Sequence, residues 1–384
     1  MCGPEQQRWL RAHLRELKGY VPGAQPGPQA IKLNTNENPF PPSPAVMSAL
    51  AEITPRSLQR YPDPMANGFR QAAARLHRLE PDQIIATNGG DELLRLAVTS
   101  FVDPGHAIGV ITPGYGVYSV LSAIHQARLS PVPLGPDWDL PVDTAARWNA
   151  DGAQLALISN PHAPSGALFS LQAIERLAET FEGVLLIDEA YADFIDPELD
   201  HDATQLVARH PKVLLLRTLS KGYALAGLRL AYGLGQAALL APMLQKTKDA
   251  YNVDAIAQTL GKAALNDSAY AKSTWVKIRR ERVRLSRDLE ELGLEVAPSQ
   301  TNFVLASLPP PSRWGSARNL HMELHDTNIH VRWFDEERLR DRLRISVGTH
   351  AENTAFVDTL RILQQQARPH LRRPAHRSTG TAIR

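Results

Sequence analysis

The chain has 384 residues, 43% hydrophobic and 21% charged, with a net charge of +2 and a single cysteine, Cys2. That length allows more than one core, the balance is ordinary for a soluble globular protein, and one thiol excludes an intrachain disulfide. No apolar stretch approaches the roughly 20 residues of a membrane span, and the N-terminus lacks a signal peptide's apolar centre, so a cytoplasmic protein without membrane attachment is expected.

Along the chain, Arg8, Arg11, Arg15 and Lys18 interleave with Trp9, Leu10, Leu14 and Leu17, which predicts an amphipathic N-terminal helix. Residues 21–44 hold seven prolines and read as an extended arm, so 1–44 form one unit. From 45 to 266 helical stretches such as Glu92–Phe101 and Leu171–Phe181 alternate with short apolar runs. These runs are Ile84–Thr87, Ala107–Ile111, Leu155–Ile158, Val184–Ile187 and Val213–Leu216. Continuous apolar runs suit strands buried on both faces of a mostly parallel sheet, so this unit is α/β with helices on either side.

A long charged helix follows, roughly Ser268 to Leu292, then short strands near Asn302–Leu305, Ile329–Trp333 and Leu343–Val347 and a final helix near Glu352–Gln365. Residues 267–366 therefore read as a smaller α+β domain that the N-terminal arm joins. The last stretch, 367–384, carries five arginines and no acids. A basic tail could touch nucleic acid, but without periodicity or aromatic residues it reads as a disordered end, and no nucleic-acid partner is expected.

The chemistry centres on Lys221, in Arg217-Thr218-Leu219-Ser220-Lys221 directly after the run Val213–Leu216. At the exit of a buried strand an amine is poorly hydrated and readily deprotonated, and can then form a Schiff base. Thr218, Ser220 and Arg229 flank it and could hold a phosphate group. An imine-forming amine beside a phosphate clamp is what pyridoxal 5′-phosphate requires. Taken alone, a lysine after a strand is more often a surface residue.

Asp188 ends the run Val184–Ile187 and precedes Glu189-Ala190-Tyr191. Ligands bind beyond the carboxyl ends of strands in open α/β sheets, so Asp188 could pair with a pyridinium nitrogen, and Tyr191 could donate to a phenolic oxygen. Asp188 could equally be a helix N-cap. In Asn88-Gly89-Gly90-Asp91-Glu92 the glycines allow backbone N–H groups to approach an anion at a helix N-terminus. Asp91 and Glu92 also read as plain first-turn acids. Tyr115, in Thr112-Pro113-Gly114-Tyr115-Gly116, could stack on a flat heteroaromatic ring.

Arg344, in Leu343-Arg344-Ile345-Ser346-Val347-Gly348, and Arg332, in Val331-Arg332-Trp333-Phe334, offer guanidinium forks suited to carboxylate or another anion. Walker loops, His-Glu-x-x-His and cysteine clusters are missing from the sequence, so no metal site is expected.

These motifs, in this order, resemble fold-type-I pyridoxal 5′-phosphate-dependent aminotransferases, and most closely the histidinol-phosphate aminotransferase family. The resemblance runs from Tyr20-Val21-Pro22-Gly23 and Leu33-Asn34-Thr35-Asn36-Glu37-Asn38-Pro39 to Leu343–Thr349. It implies amino transfer between histidinol phosphate and 2-oxoglutarate by a ping-pong route, with Lys221 joined to the cofactor and shuttling the proton from Cα. It further implies Asp188 at the ring nitrogen, Tyr191 at the phenolic oxygen, Tyr115 stacked on the ring, and Gly90, Asp91, Thr218, Ser220 and Arg229 at the phosphate. Tyr61 matches a tyrosine that reaches the phosphate of the neighbouring subunit, so a homodimer is implied. Arg344 would take the substrate carboxylate, while Tyr20 and Arg332 would favour a substrate phosphate.

One departure stands out. The family reads Asn-Pro-Thr-Gly where this chain has Ala163-Pro164-Ser165-Gly166, and Ala163 cannot supply that asparagine's hydrogen bond to the phenolic oxygen. Either Asn160 or His162 substitutes, or Tyr191 works alone. The alternative functions are an aromatic amino acid transaminase, a decarboxylase acting on threonine phosphate, and a cofactor-binding protein without turnover.

Overall fold

The computed structural model describes residues 8–310, 312 and 314–366. The expected disordered tail, 367–384, lies outside the described residues. The strands in chain order are β1 (Ile31–Lys32), β2 (Ile84–Thr87), β3 (Ala107–Thr112), β4 (Arg128–Pro133), β5 (Ala153–Ser159) and β6 (Val184–Asp188). They continue with β7 (Val213–Thr218), β8 (Ala231–Gly235), β9 (Glu295–Val296), β10 (Phe303–Ser307), β11 (Ile329–His330) and β12 (Arg342–Ser346).

A seven-stranded sheet runs β2-β8-β7-β6-β5-β3-β4, with β8 antiparallel to both neighbours and the other pairings parallel. Its inner strands bury both faces because successive side chains point to opposite sides. Ala156, Ile158, Leu185, Ile187 and Leu215 join one core, whereas Leu155, Leu157, Leu186, Leu214 and Leu216 join the other. Truncating one such side chain, as in Leu186→Ala, costs about 2–5 kcal/mol. This sheet and its helices form a large lobe.

A small lobe is built on the three-stranded sheet β12-β10-β9, packed against the long helix Ser268–Glu291 and the final helix His350–Gln366. Its core includes Ile278, Leu285, Val304, Leu343, Ile345 and Phe356. The N-terminal arm belongs with it: β1 pairs in parallel with β11, and Leu33 is buried in the same core.

The N-terminal amphipathic helix is corrected. Among residues 8–18 only one 3-10 turn forms, Ala12–Leu14, and Trp9 and Leu10 are 77% and 45% exposed. A short helix needs its whole apolar stripe packed to outweigh nucleation, and here Trp9 and Leu10 stay in solvent.

Candidate active site

The carboxyl ends of β5, β6 and β7 open into a cavity of about 800 Å³ between the two lobes, roofed by residues 18–25 of the arm. Tyr20, Gly90, Asp91, Tyr115, Asp188, Tyr191, Thr218, Ser220, Lys221, Arg229, Arg332 and Arg344 all line it. Residues from both ends of the sequence thus meet over one sheet edge, where such crevices form in open α/β sheets.

Lys221 follows β7 on a short loop, and its Nζ donates to the Thr35 carbonyl at 2.8 Å. Burial pushes its amine down to about 8, with the Arg344 guanidinium contributing in the same direction. About a tenth of the amine is therefore free base at pH 7, against a far smaller share for an ordinary lysine.

Asp188 closes β6. It accepts from the Ala190 N–H at 3.0 Å and from the Tyr118 hydroxyl at 3.2 Å. Burial pushes its carboxyl up to about 6, an effect that these two hydrogen bonds offset only in part. Beside it, Asn36 Nδ2 donates to the Tyr191 hydroxyl at 3.0 Å, and the Tyr191 ring stands edge-on to Phe303 at 5.1 Å.

An anion cradle sits opposite. Thr218 Oγ1 donates to Ser220 Oγ at 3.0 Å and accepts from the Ser220 N–H at 3.1 Å. Arg229 reaches Ser220 Oγ at 3.5 Å and lies 3.9 Å from Asp91. The helix Gly90–Phe101 begins here with Gly89 as an N-cap that offers no side-chain acceptor, so its first N–H groups face the cradle. Gly89 has φ +79°, and a Cβ there would fall 2.6 Å from Arg229 Nη2. Only glycine fits this approach.

Tyr115 stands between cradle and roof. Its hydroxyl donates to Asp91 Oδ1 at 3.2 Å, and its ring meets Tyr118 edge-on at 5.6 Å and Tyr20 at 5.5 Å. Burial, then the nearby Asp91, push its phenol well above the ordinary range, so it stays neutral.

At the other end Arg344 and Arg332 bridge through their backbones, Arg332 N–H to the Arg344 carbonyl at 3.0 Å and Arg344 N–H to the Arg332 carbonyl at 2.8 Å. Arg344 Nη2 donates to the Asn34 carbonyl at 3.1 Å, while its Nε is buried without a partner. Arg332 Nη2 donates to the Val21 carbonyl at 3.1 Å. Two guanidinium groups lining the same end of the cavity could take an anion between them.

Three expected residues lie elsewhere. Asn160 is turned away from the cavity: its side chain accepts from the Phe169 N–H at 2.8 Å, donates to the Phe169 carbonyl at 3.2 Å and touches His201 at 3.3 Å. Its amide is fully occupied in closing the 160–169 loop, which corrects the expectation that it faces a cofactor. His162 is also committed, with Nδ1 2.7 Å from Ser165 Oγ and Nε2 3.0 Å from the Pro113 carbonyl. Ala163 occupies the cavity wall. Tyr61 is 80% exposed, stacked on Tyr251 at 4.4 Å, and outside its own chain's cavity.

Sequence reasoning missed Thr35, Asn36, Tyr118 and Phe334. Tyr118 sits three residues after Tyr115, a helical spacing that could have flagged it. Thr35 and Asn36 act largely through long-range pairing that no local pattern reveals.

The family model described as aminotransferase class I and II matches residues 28–360. Histidinol-phosphate aminotransferase 1 of Trichormus variabilis is 40% identical over 92% of this chain and 99% of its own length. The chain belongs to the histidinol-phosphate aminotransferase family, within class I and II. The Geotalea uraniireducens histidinol-phosphate aminotransferase is also 40% identical, over 92% of this chain and 98% of its own. The crystal structure of the Sinorhizobium meliloti histidinol-phosphate aminotransferase in complex with pyridoxal 5′-phosphate superposes with a TM-score of 0.84. It is 26% identical and covers 94% of this chain and 98% of that one. The fold is accordingly fold type I, α/β with a mostly parallel central sheet.

Members of this family use pyridoxal 5′-phosphate, and the residues present fit that group. A buried amine of lowered basicity, a buried carboxyl without a cation beside it, and a cradle that only Gly89 leaves open match an aldehyde, a ring nitrogen and a phosphate respectively.

Proposed function

We propose that this chain is a pyridoxal 5′-phosphate-dependent histidinol-phosphate aminotransferase, moving an amino group between histidinol phosphate and 2-oxoglutarate. The observation that carries the substrate assignment is the second anion site, Arg332 and Arg344, at the end of the cavity away from the Thr218–Ser220–Arg229 cradle. A cavity that already houses one phosphate cradle has no need of this pair unless the substrate is itself anionic.

When bound, the cofactor supplies an electron sink for the pair left behind as the Cα proton departs. The protein's residues do the rest. Gly90 N–H, Thr218, Ser220 and Arg229 would hold the phosphate, Asp91 steadies Arg229 and the Tyr115 hydroxyl, and Tyr115 would stack against the ring. Asp188 supplies the anion that keeps the ring nitrogen protonated, and Tyr191 donates to the phenolic oxygen. With Asn160 turned away and Ala163 in the wall, no amide side chain assists it from that segment. Lys221 would be the residue that holds the cofactor through its amine and moves the proton at the substrate Cα, a role its lowered basicity suits. Arg344 takes a substrate carboxylate, Arg332 and Tyr20 a substrate phosphate, and the arm over the cavity excludes water.

The same reading includes a homodimer. Tyr61 and Tyr251 stack on each other and are 80% and 46% exposed, and the same N-terminal part of the large lobe exposes Met47, Leu50 and Leu58. A second copy would cover this apolar face and receive Tyr61 at its own phosphate cradle. It also includes an arm over 1–44, a large domain over 45–266 and a small one over 267–366, working in the cytoplasm. None of the described helices is long and apolar enough to cross a membrane.

The test is single turnover of the cofactor-loaded protein in its amino form. Imidazole-acetol phosphate and phenylpyruvate are offered separately and the cofactor's absorbance is followed. Strong preference for the phosphorylated acceptor is expected. Equal or faster reaction with phenylpyruvate would replace this reading with aromatic amino acid transamination.

A further inference from the structure

Arg338 lies on the small lobe, six residues beyond Arg332, yet its side chain is spent entirely on the large lobe. Its Nη1 donates to the Leu134 carbonyl at 2.6 Å, and its Nη2 to the Gly135 and Pro136 carbonyls at 2.9 and 3.3 Å. The guanidinium also lies 4.2 Å over the ring of Trp138, which Arg342 approaches at 5.3 Å. Three carbonyls and one aromatic face converge on a single fork, whose planar spread an ammonium, a point charge, reproduces only in part.

Both sides of the contact are pre-shaped. On the large lobe the 134–139 turn is closed by Gly135 N–H to the Asp139 carbonyl at 2.9 Å and Trp138 N–H to the Gly135 carbonyl at 3.1 Å. A Cβ on Gly135 would fall 2.1 Å from Asp139 Oδ1, so a larger residue there would displace the Asp139 side chain. On the small lobe, Leu339 and Arg340 N–H groups both return to the Glu336 carbonyl, at 2.8 and 2.9 Å, forming a turn that presents Arg338. Leu339, 1% exposed, joins the buried cluster that also holds Trp138 of the large lobe and Leu305 of the small one. The segment between Arg332 and Arg342 is thereby fastened across the lobe boundary.

That segment forms the substrate end of the cavity. Arg332, Phe334 and Glu336 line it, and Phe334 packs under both Arg332 and Arg344 at 5.2 and 5.3 Å. Beneath the grip, Trp138 neighbours His162, whose ring donates to the Pro113 carbonyl two residues before Tyr115.

We propose that Arg338 is a positioning residue for substrate recognition: by clamping the 332–342 segment onto the 134–138 turn it sets the reach of Arg332 into the cavity. The inference rests on the reading of Arg332 as the substrate-phosphate residue. Arg338 touches no lining surface itself and acts only through the segment it anchors.

The test compares wild type, Arg338→Ala, Arg338→Lys and Arg340→Ala, all loaded with pyridoxal 5′-phosphate. Arg340 is exposed on the same turn, paired with Asp335, and serves as control. KM and kcat are measured separately for histidinol phosphate and for glutamate, alongside thermal midpoint and cofactor absorbance. The expected result for Arg338→Ala is a KM for histidinol phosphate raised by about 10- to 100-fold, as misplacing a binding group by an ångström produces, with KM for glutamate nearly unchanged. Arg338→Lys, keeping charge but losing the fork, falls between, and Arg340→Ala matches wild type. An unchanged KM ratio in Arg338→Ala, or equal loss for both substrates in Arg338→Ala and Arg338→Lys, would overturn the positioning role. If wild type shows no dependence on the substrate phosphate, the reading of Arg332 fails first and takes this inference with it.

Discussion

Lys221 Nζ and the Thr35 carbonyl meet at 2.8 Å, so the reactive amine is held by a segment almost 190 positions earlier in the chain. The arm thus contacts the amine directly as well as covering the cavity. Held there among Arg344 and Arg229 and shielded from water, the amine is driven down to about 8.

Capture of the cofactor should follow that value. The free base attacks an aldehyde and the ammonium does not, so uptake of pyridoxal 5′-phosphate by the cofactor-free protein should accelerate from pH 6 to 9 with a midpoint near 8. Stopped-flow absorbance checks this. Lys221→Ala should retain no borohydride-fixable cofactor.

Asp188 trades stability for function. Its carboxyl is pushed up to about 6 from 3.8, so the folded cofactor-free protein disfavours its charge. The penalty is absent below about pH 4, grows as pH rises to 6 and is constant above. Cofactor-free Asp188→Asn should therefore be more stable than wild type by on the order of 1–3 kcal/mol at pH 7, with the gap closing toward pH 4. Denaturant melts at several pH values test this. The loaded variant should lose roughly 100-fold or more in amino transfer.

Gly89→Ala should damage the phosphate cradle without touching a reactive group. It forces a side chain into φ +79° and against Arg229, so cofactor affinity should fall by about tenfold or more in equilibrium dialysis. Thermal stability of the cofactor-free form should drop by about 1–2 kcal/mol.

Tyr61 offers a complementation test. Tyr61→Ala and Lys221→Ala homodimers should each be impaired, but mixed dimers would carry one site with both residues intact. Partial recovery of activity on mixing, rising as subunits exchange, is the expected outcome. Additive impairment without recovery would place Tyr61 outside any site.

The Lys221 end of the cavity could be read from the sequence because it lies where strand ends meet short loops: Asp188 at the end of β6, Thr218 to Lys221 from the end of β7 onward, Gly90 at a helix start. Each motif is local, and the sheet gathers them. Strands were missed where this logic fails. Edge strand β4 includes Pro131 and Pro133 and alternates in burial, and β8, antiparallel with Gly233 and Gly235, shows no continuous apolar run. Asn160 was misplaced because an asparagine near a motif carries no mark of which way its amide turns. Phe169, nine residues on, decided it.

The joining of β1 to β11 and of Asn34 to Arg344, 310 positions apart, has a consequence for biosynthesis. The arm is made long before the residues it pairs with, Ile329–His330 and Arg344. The large lobe can condense during translation while the arm waits, and the cavity gains its roof, its Thr35 carbonyl and its anchoring strand only once β11 and β12 have been made. A nascent chain stalled before β11 would carry the phosphate cradle and Lys221 with no closed site around them.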